Sequence, residues 1–92
     1  MAAEAAPPPR TLGEMHAHAR QRLASLGLAE AALEARLLVE HVTGTDRTQA
    51  LTRPDGVMSP DALSMLETTL ARRAAGEPVH RIIGRRDFYG VT

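Results

Sequence analysis

The amino-acid sequence predicts an all-α fold, a small bundle of four to five helices followed by the start of a strand. Three observations predict it. The core has to be built almost without aromatic rings, because Phe88 and Tyr89 are the only two. Such a composition suits packed helices better than a β-sandwich, which leans on aromatic and β-branched residues. Apolar residues recur every three or four positions in successive segments, the spacing that lines one face of an α-helix. Those segments are punctuated by side chains that cap helix starts and by Gly or Pro that end them.

Residues 1–10 read as a disordered leader, since alanines and Pro7, Pro8 and Pro9 bury no face and favour extended backbone. Thr11 and Glu14 form a capping box at the start of the first helix, each side chain meeting the other's backbone N–H. Leu12, Met15, Ala19, Leu23 and Leu26 follow on one face, and Gly27 supplies a left-handed end. The second helix is predicted over residues 29–43. Its broad apolar face (Ala31, Leu33, Ala35, Leu37, Leu38, Val42) marks a central helix touching several neighbours, and Gly44 closes it.

A short third helix is predicted over residues 46–51, capped by Asp46 with Gln49 at the reciprocal position and stopped by Pro54. Pro54, Asp55 and Gly56 form a turn signal. Ser59 then caps a fourth helix with Pro60 in its first position, where the missing N–H costs nothing. Leu63, Leu66, Leu70 and Ala74 are its stripe, and Gly76 and Pro78 stop it. Val79, Ile82 and Ile83 suit a short fifth helix closing the bundle. Gly84 breaks it, and Phe88, Tyr89 and Val91 read as the beginning of a strand. A lone strand is not stable, so the chain is expected to stop in mid-structure.

The bulk properties narrow the function classes. At 92 residues there is room for one small domain. Eleven arginines balance 11 acidic residues, and a neutral domain is a poor candidate for bulk attraction to nucleic acid or membrane. The charge is unevenly spread: Arg72, Arg73, Arg81, Arg85 and Arg86 face only Glu77 and Asp87 in the last part of the chain. There is no cysteine, which excludes disulfides and thiolate metal sites and is compatible with a reducing cytosol. No stretch has the apolar length of a membrane span, and the first ten residues lack the charged head and apolar run of a signal peptide.

Catalytic candidates are few. His16 and His18 are two apart, so on a helix they point about 200° from one another and do not share an ion. His41 and His80 are isolated, and all four histidines read as surface or half-buried side chains rather than metal ligands. Glu30 and Glu34 share a helix face. They are better read as solvated residues, with Arg36 pairing weakly with Glu34 or Glu40, than as an acid pair for catalysis. No glycine-rich phosphate loop follows a strand and no nucleophile elbow is present. Neither catalytic nor cofactor-binding nor metal residues are expected in this chain.

The informative segment runs through Arg72 and Arg73, then Gly76, Glu77 and Pro78, then Ile82, Ile83 and Gly84, then Asp87, Phe88, Tyr89 and Gly90. In this order it resembles the junction of the HemK/PrmC-type peptide chain release factor N5-glutamine methyltransferases. Residues 35–44 resemble the family's second helix, and Arg47, Thr48, Gln49 and Leu51 its third, so that the likeness covers residues 11–92. The resemblance implies a parent enzyme that uses S-adenosylmethionine to methylate the glutamine of the Gly-Gly-Gln tip of a release factor in the cytoplasm. It implies that residues 11–84 are a bundle that helps engage that substrate, and that residues 85–92 begin a β-hairpin leading to a Rossmann-like methyltransferase domain absent from this sequence. The family's cofactor loop and Asn-Pro-Pro-Tyr motif belong to that domain. The 92 residues alone are therefore expected to bind no cofactor and to be inactive.

The arginines Arg72, Arg73, Arg81, Arg85 and Arg86 are the expected docking contacts for the release factor, since a guanidinium pairs bidentately with carboxylates; the same residues suit equally well solvated helix-end charges near the negative end of the macrodipole. The alternative reading is a free-standing helical interaction module associated with RNA or the ribosome. Against it stands the lack of aromatic stacking groups interleaved with the basic ones.

Overall fold

The computed structural model describes residues 8–84. The strand start expected after Gly84 and most of the expected leader lie outside the described residues. Within them the chain forms five helices and no strand: α1 (Leu12–Ser25), α2 (Ala31–Thr43), α3 (Arg47–Thr52), α4 (Pro60–Ala74) and α5 (Val79–Ile83). The predicted all-α bundle is the observed one. None of the helices is long and apolar enough to cross a membrane.

The local signals act as the sequence implies. Glu14 N–H donates to Thr11 Oγ1 at 3.2 Å while Thr11 N–H donates to Glu14 Oε1 at 3.2 Å. Asp46 and Gln49 repeat this box at α3, and Ser59 Oγ accepts from Ala62 N–H at α4. At the far end of α4, Gly76 adopts φ +105°, a conformation a side chain would strain. Gly76 N–H then reaches Arg73 O and Glu77 N–H reaches Arg72 O, the paired bonds of a Schellman motif. The second helix starts at Ala31, two residues later than predicted, because residues 29 and 30 form a turn and Glu30 offers no side-chain cap.

Helix α2 is central, packing on α1, α4 and α5, while α1 and α4 also touch. Its buried residues are Ala31, Ala35, Leu38 and Val39, with Leu37 and Val42 partly buried. Leu33 is instead 44% exposed. It lies two positions from both Ala31 and Ala35, on the opposite side of the helix from the stripe those residues define. Leu26 is also exposed, since it caps α1 where the chain turns away. On α4 the buried face runs through Ala62, Leu66, Thr69 and Leu70, leaving Leu63 half-buried and Ala74 exposed. Extending that face by one turn leads to Arg73 rather than Ala74. Val79, Ile82 and Ile83 of α5 are all buried against α2 and α4.

The start of α1 is held by the loop between α3 and α4. Leu12 N–H donates to Gly56 O at 2.9 Å and Gly13 N–H to Pro54 O at 2.7 Å, so two of the donors that a helix start leaves without partners find backbone carbonyls. Arg10, read from sequence as leader, is tied in as well: its carbonyl accepts from Met58 N–H and its N–H donates to Glu14 Oε1. By contrast α3 buries no residue: its Leu51 stays largely exposed, as does Val57 in the loop that follows.

Candidate functional site

The arginine-rich end of the bundle is the corner where α4 turns through Gly76 into α5. Two of its arginines are committed to carboxylates of this chain. Arg72, on the outer side of α4, sets its fork on Glu77: Nε donates to Oε1 at 2.7 Å and Nη2 to Oε2. The Schellman turn makes this possible, because it folds residue 77 back over residue 72. The hydrogen bonds from Arg72 hold the Glu77 carboxyl below the usual carboxylate range, and the charge of Arg81 adds to the effect.

Arg73 points the other way, towards the core-facing side. Its Nε donates to Glu34 Oε1 at 2.8 Å and its Nη2 to Oε2 at 3.4 Å, joining α4 to α2 across 39 residues of sequence. Both side chains are largely covered, 17% and 19% exposed. Of the two local pairings that the sequence suggests for Arg36, the one with Glu40 forms, at 3.4 Å, while Glu34 holds Arg73.

Arg81 lies on the exposed side of α5, opposite the buried Ile82 and Ile83. Arg85 and Arg86 lie outside the described residues. The five candidates thus separate: two are bound up in ion pairs within the fold, one is exposed on the last helix, and two follow Gly84 in sequence. Sequence reasoning missed the partners Glu34 and Glu77. Glu77 carries a signal in hindsight, since a Schellman turn after Arg72 brings position 77 within reach. Glu34 carries none, because the helix crossing that joins it to Arg73 is set by core packing.

An open groove of about 420 Å³ adjoins this corner, lined by His41 from α2 and by Asp61, Ser64, Met65, Thr68 and Arg72 along α4, with Thr69 at its base. Its hydroxyls are partly used within the helix: Thr68 donates to Ser64 O and Thr69 to Leu66 O. The other histidines stand apart from it. His18 Nε2 lies 2.6 Å from Glu67 Oε2. His16 has its Nε2 enclosed without a hydrogen-bond partner, and burial pushes its imidazole pKa down. His80 is exposed on α5. Among the described residues no three His, Cys, Asp or Glu side chains group to hold a metal ion.

Residues 14–84 match the family described as the PrmC N-terminal domain. The chain is 41% identical over 73 residues to a release factor glutamine methyltransferase of Agrobacterium fabrum, an overlap covering 79% of this chain and 25% of that protein. It is 43% identical over 60 residues to the enzyme of the same description from Burkholderia pseudomallei, covering 65% and 21%. With that from Vibrio cholerae it is 40% identical over 73 residues, covering 79% and 26%. The chain thus spans about a quarter of the length of the curated relatives it matches. No solved structure matches it significantly.

Proposed function

This chain belongs to the PrmC N-terminal domain family, and on that premise we propose that it is the substrate-docking domain of a protein-(glutamine-N5) methyltransferase acting on a peptide chain release factor. The observation that carries the reading is the match over residues 14–84 to the amino-terminal domain of enzymes described as release factor glutamine methyltransferases. In this reading residues 11–84 are the docking bundle, residues 85–92 begin the linker, and the parent enzyme works in the cytoplasm on the Gly-Gly-Gln glutamine.

The methyl donor would be S-adenosylmethionine, bound by the rest of the parent enzyme. The described residues do not fit it: they hold no strand–glycine-loop–helix unit of the kind that cradles such a cofactor. No step of methyl transfer is assigned to this chain, and the 92 residues alone are inactive in this reading.

What the bundle contributes is affinity and orientation. Arg81, exposed on α5, with Arg85 and Arg86 following it, forms the contact with acidic groups of the release factor. Arg72 and Arg73 already hold Glu77 and Glu34, so moving either to a partner would leave a carboxylate uncompensated, at its greatest cost for the covered Glu34.

The test is genetic and chemical. Deleting the gene should leave the release-factor glutamine peptide lighter by one methyl group in mass spectrometry. The intact gene should restore the methyl, and a gene lacking the bundle should restore it poorly. Full methylation in the deletion strain would refute the reading.

A further inference from the structure

We infer that Glu34, Arg73, Arg72 and Glu77 form an orienting clamp, which fixes the α4–α5 corner to α2 and so sets where Gly84 sits. The link to methyl transfer rests on the docking reading above; the clamp itself rests on the geometry of the fold.

Three features converge on this corner. Arg73 fastens the last turn of α4 to the first turn of α2 through a largely covered fork. Arg72 fastens the same turn to Glu77, two residues before α5, through a second fork. The two forks come from adjacent positions about 100° apart on the helix, so one restrains the corner towards α2 and the other towards α5. Helix α5 has only five residues, too few to hold its own shape. Its placement therefore depends on the burial of Val79, Ile82 and Ile83 and on what holds its leading end.

Burial alone fixes α5 poorly, because apolar contact is non-directional and lets a short helix roll on its neighbours. Planar bidentate pairs add direction, since each holds two N–H···O bonds in one plane. The Schellman bonds from Gly76 and Glu77 to Arg73 and Arg72 close the turn between the forks. Four charged side chains and two backbone bonds thus hold one turn. Its output is the position of Gly84, at the end of α5. These four side chains are positioning residues, distinct from the docking contact at Arg81.

The experiment compares Arg73→Met, which keeps the apolar stem and removes the fork, with the charge swap E34R/R73E, and Glu77→Gln with Arg81→Ala. On this chain, amide exchange in α5 should speed up on the order of tenfold in Arg73→Met, between what exposed and buried ion pairs contribute. Protection of Leu23 in α1 should hold, and the swap should recover most of the loss. Uniform loss across both helices would mean general destabilisation and would overturn the clamp. So would α5 exchange unchanged in both Arg73→Met and Glu77→Gln.

The second arm uses the longer parent enzyme. Arg73→Met should lower kcat/KM for release-factor methylation, while this chain's calorimetric affinity for the release factor changes less than about twofold, within the scatter of surface substitutions. Arg81→Ala should lower both. Equal loss of affinity in Arg73→Met and Arg81→Ala would make Arg73 a contact and overturn the assignment. If the chain binds no release factor at all, the docking reading fails while the exchange result still decides the clamp.

Discussion

Glu67 on α4 accepts from two residues of α1 at once: His18 Nε2 stands 2.6 Å from its Oε2, and Arg22 Nη1 donates to its Oε1 at 2.9 Å. One carboxylate thereby bridges two successive turns of the facing helix. Burial pushes the Glu67 carboxyl up, but the hydrogen bonds from His18 and Arg22 outweigh it and hold the group below its ordinary value of 4.5.

The sign of the pH effect follows. A carboxyl held low in the fold contributes stability that is present above its unfolded value and is lost as pH falls through the lower folded value. Glu67→Gln should cost about 0.5–1 kcal/mol near neutral pH, the upper part of the range for partly exposed pairs. The gap to the parent chain, read by urea denaturation, should close at acid pH below 4.5. A gap unchanged down to acid pH would contradict the bridge.

His16 should act in a separate window. Burial lowers its pKa from the ordinary 6.5, with Arg36 and Arg20 opposing its charged form and Glu40 favouring it. Its contribution is therefore present above the unfolded value and is lost as pH falls below 6.5 towards the folded one. His16→Leu should flatten the stability curve in that interval and leave the more acidic one to Glu67. An identical curve in the variant would show that the enclosed Nε2 carries no cost.

Gly13 sits at a close approach to the loop. A Cβ there would stand 3.1 Å from Pro54 O and 3.2 Å from Pro54 Cβ. Gly13→Ala would gain about 1 kcal/mol of helix propensity in an open site. Here it should destabilise by about 1 kcal/mol, because the loop that accepts from Leu12 and Gly13 must move. A raised melting temperature would contradict this.

The core assignment has its own contrast within α2. Leu38 is fully buried whereas Leu33 is not. Leu38→Ala should cost about 2–5 kcal/mol and Leu33→Ala about 0.5 kcal/mol or less, both from chemical denaturation. Similar losses would place the central stripe wrongly.

Helix identity was legible because each signal is local. Thr11 with Glu14, Asp46 with Gln49, and Ser59 with Pro60 all act within one turn. The stripe of α1 was readable from Leu12 to Leu23, and the apolar triplet of α5 announced a closing helix. What escaped depends on how helices cross. Periodicity alone gave Leu33 and Ala74 the same standing as Leu38 and Leu70, since it does not say how wide the covered face is. The Arg73–Glu34 and His18–Glu67 pairs span 39 and 49 residues and have no local signature. The arginine-rich end was visible as charge, but its division into paired Arg72 and Arg73 and exposed Arg81 needed the turn at Gly76 and the packing of α4 on α2.

In the proposed function this bundle docks a release factor. The most direct measurement is isothermal titration calorimetry of the 92-residue chain with a purified peptide chain release factor, repeated with Arg81→Ala and with a triple alanine variant at Arg81, Arg85 and Arg86. Saturable binding that weakens in Arg81→Ala and further in the triple variant, without loss of helical fold by circular dichroism, is the predicted result. No heat of binding with the parent chain, or equal affinity in all three, would contradict it.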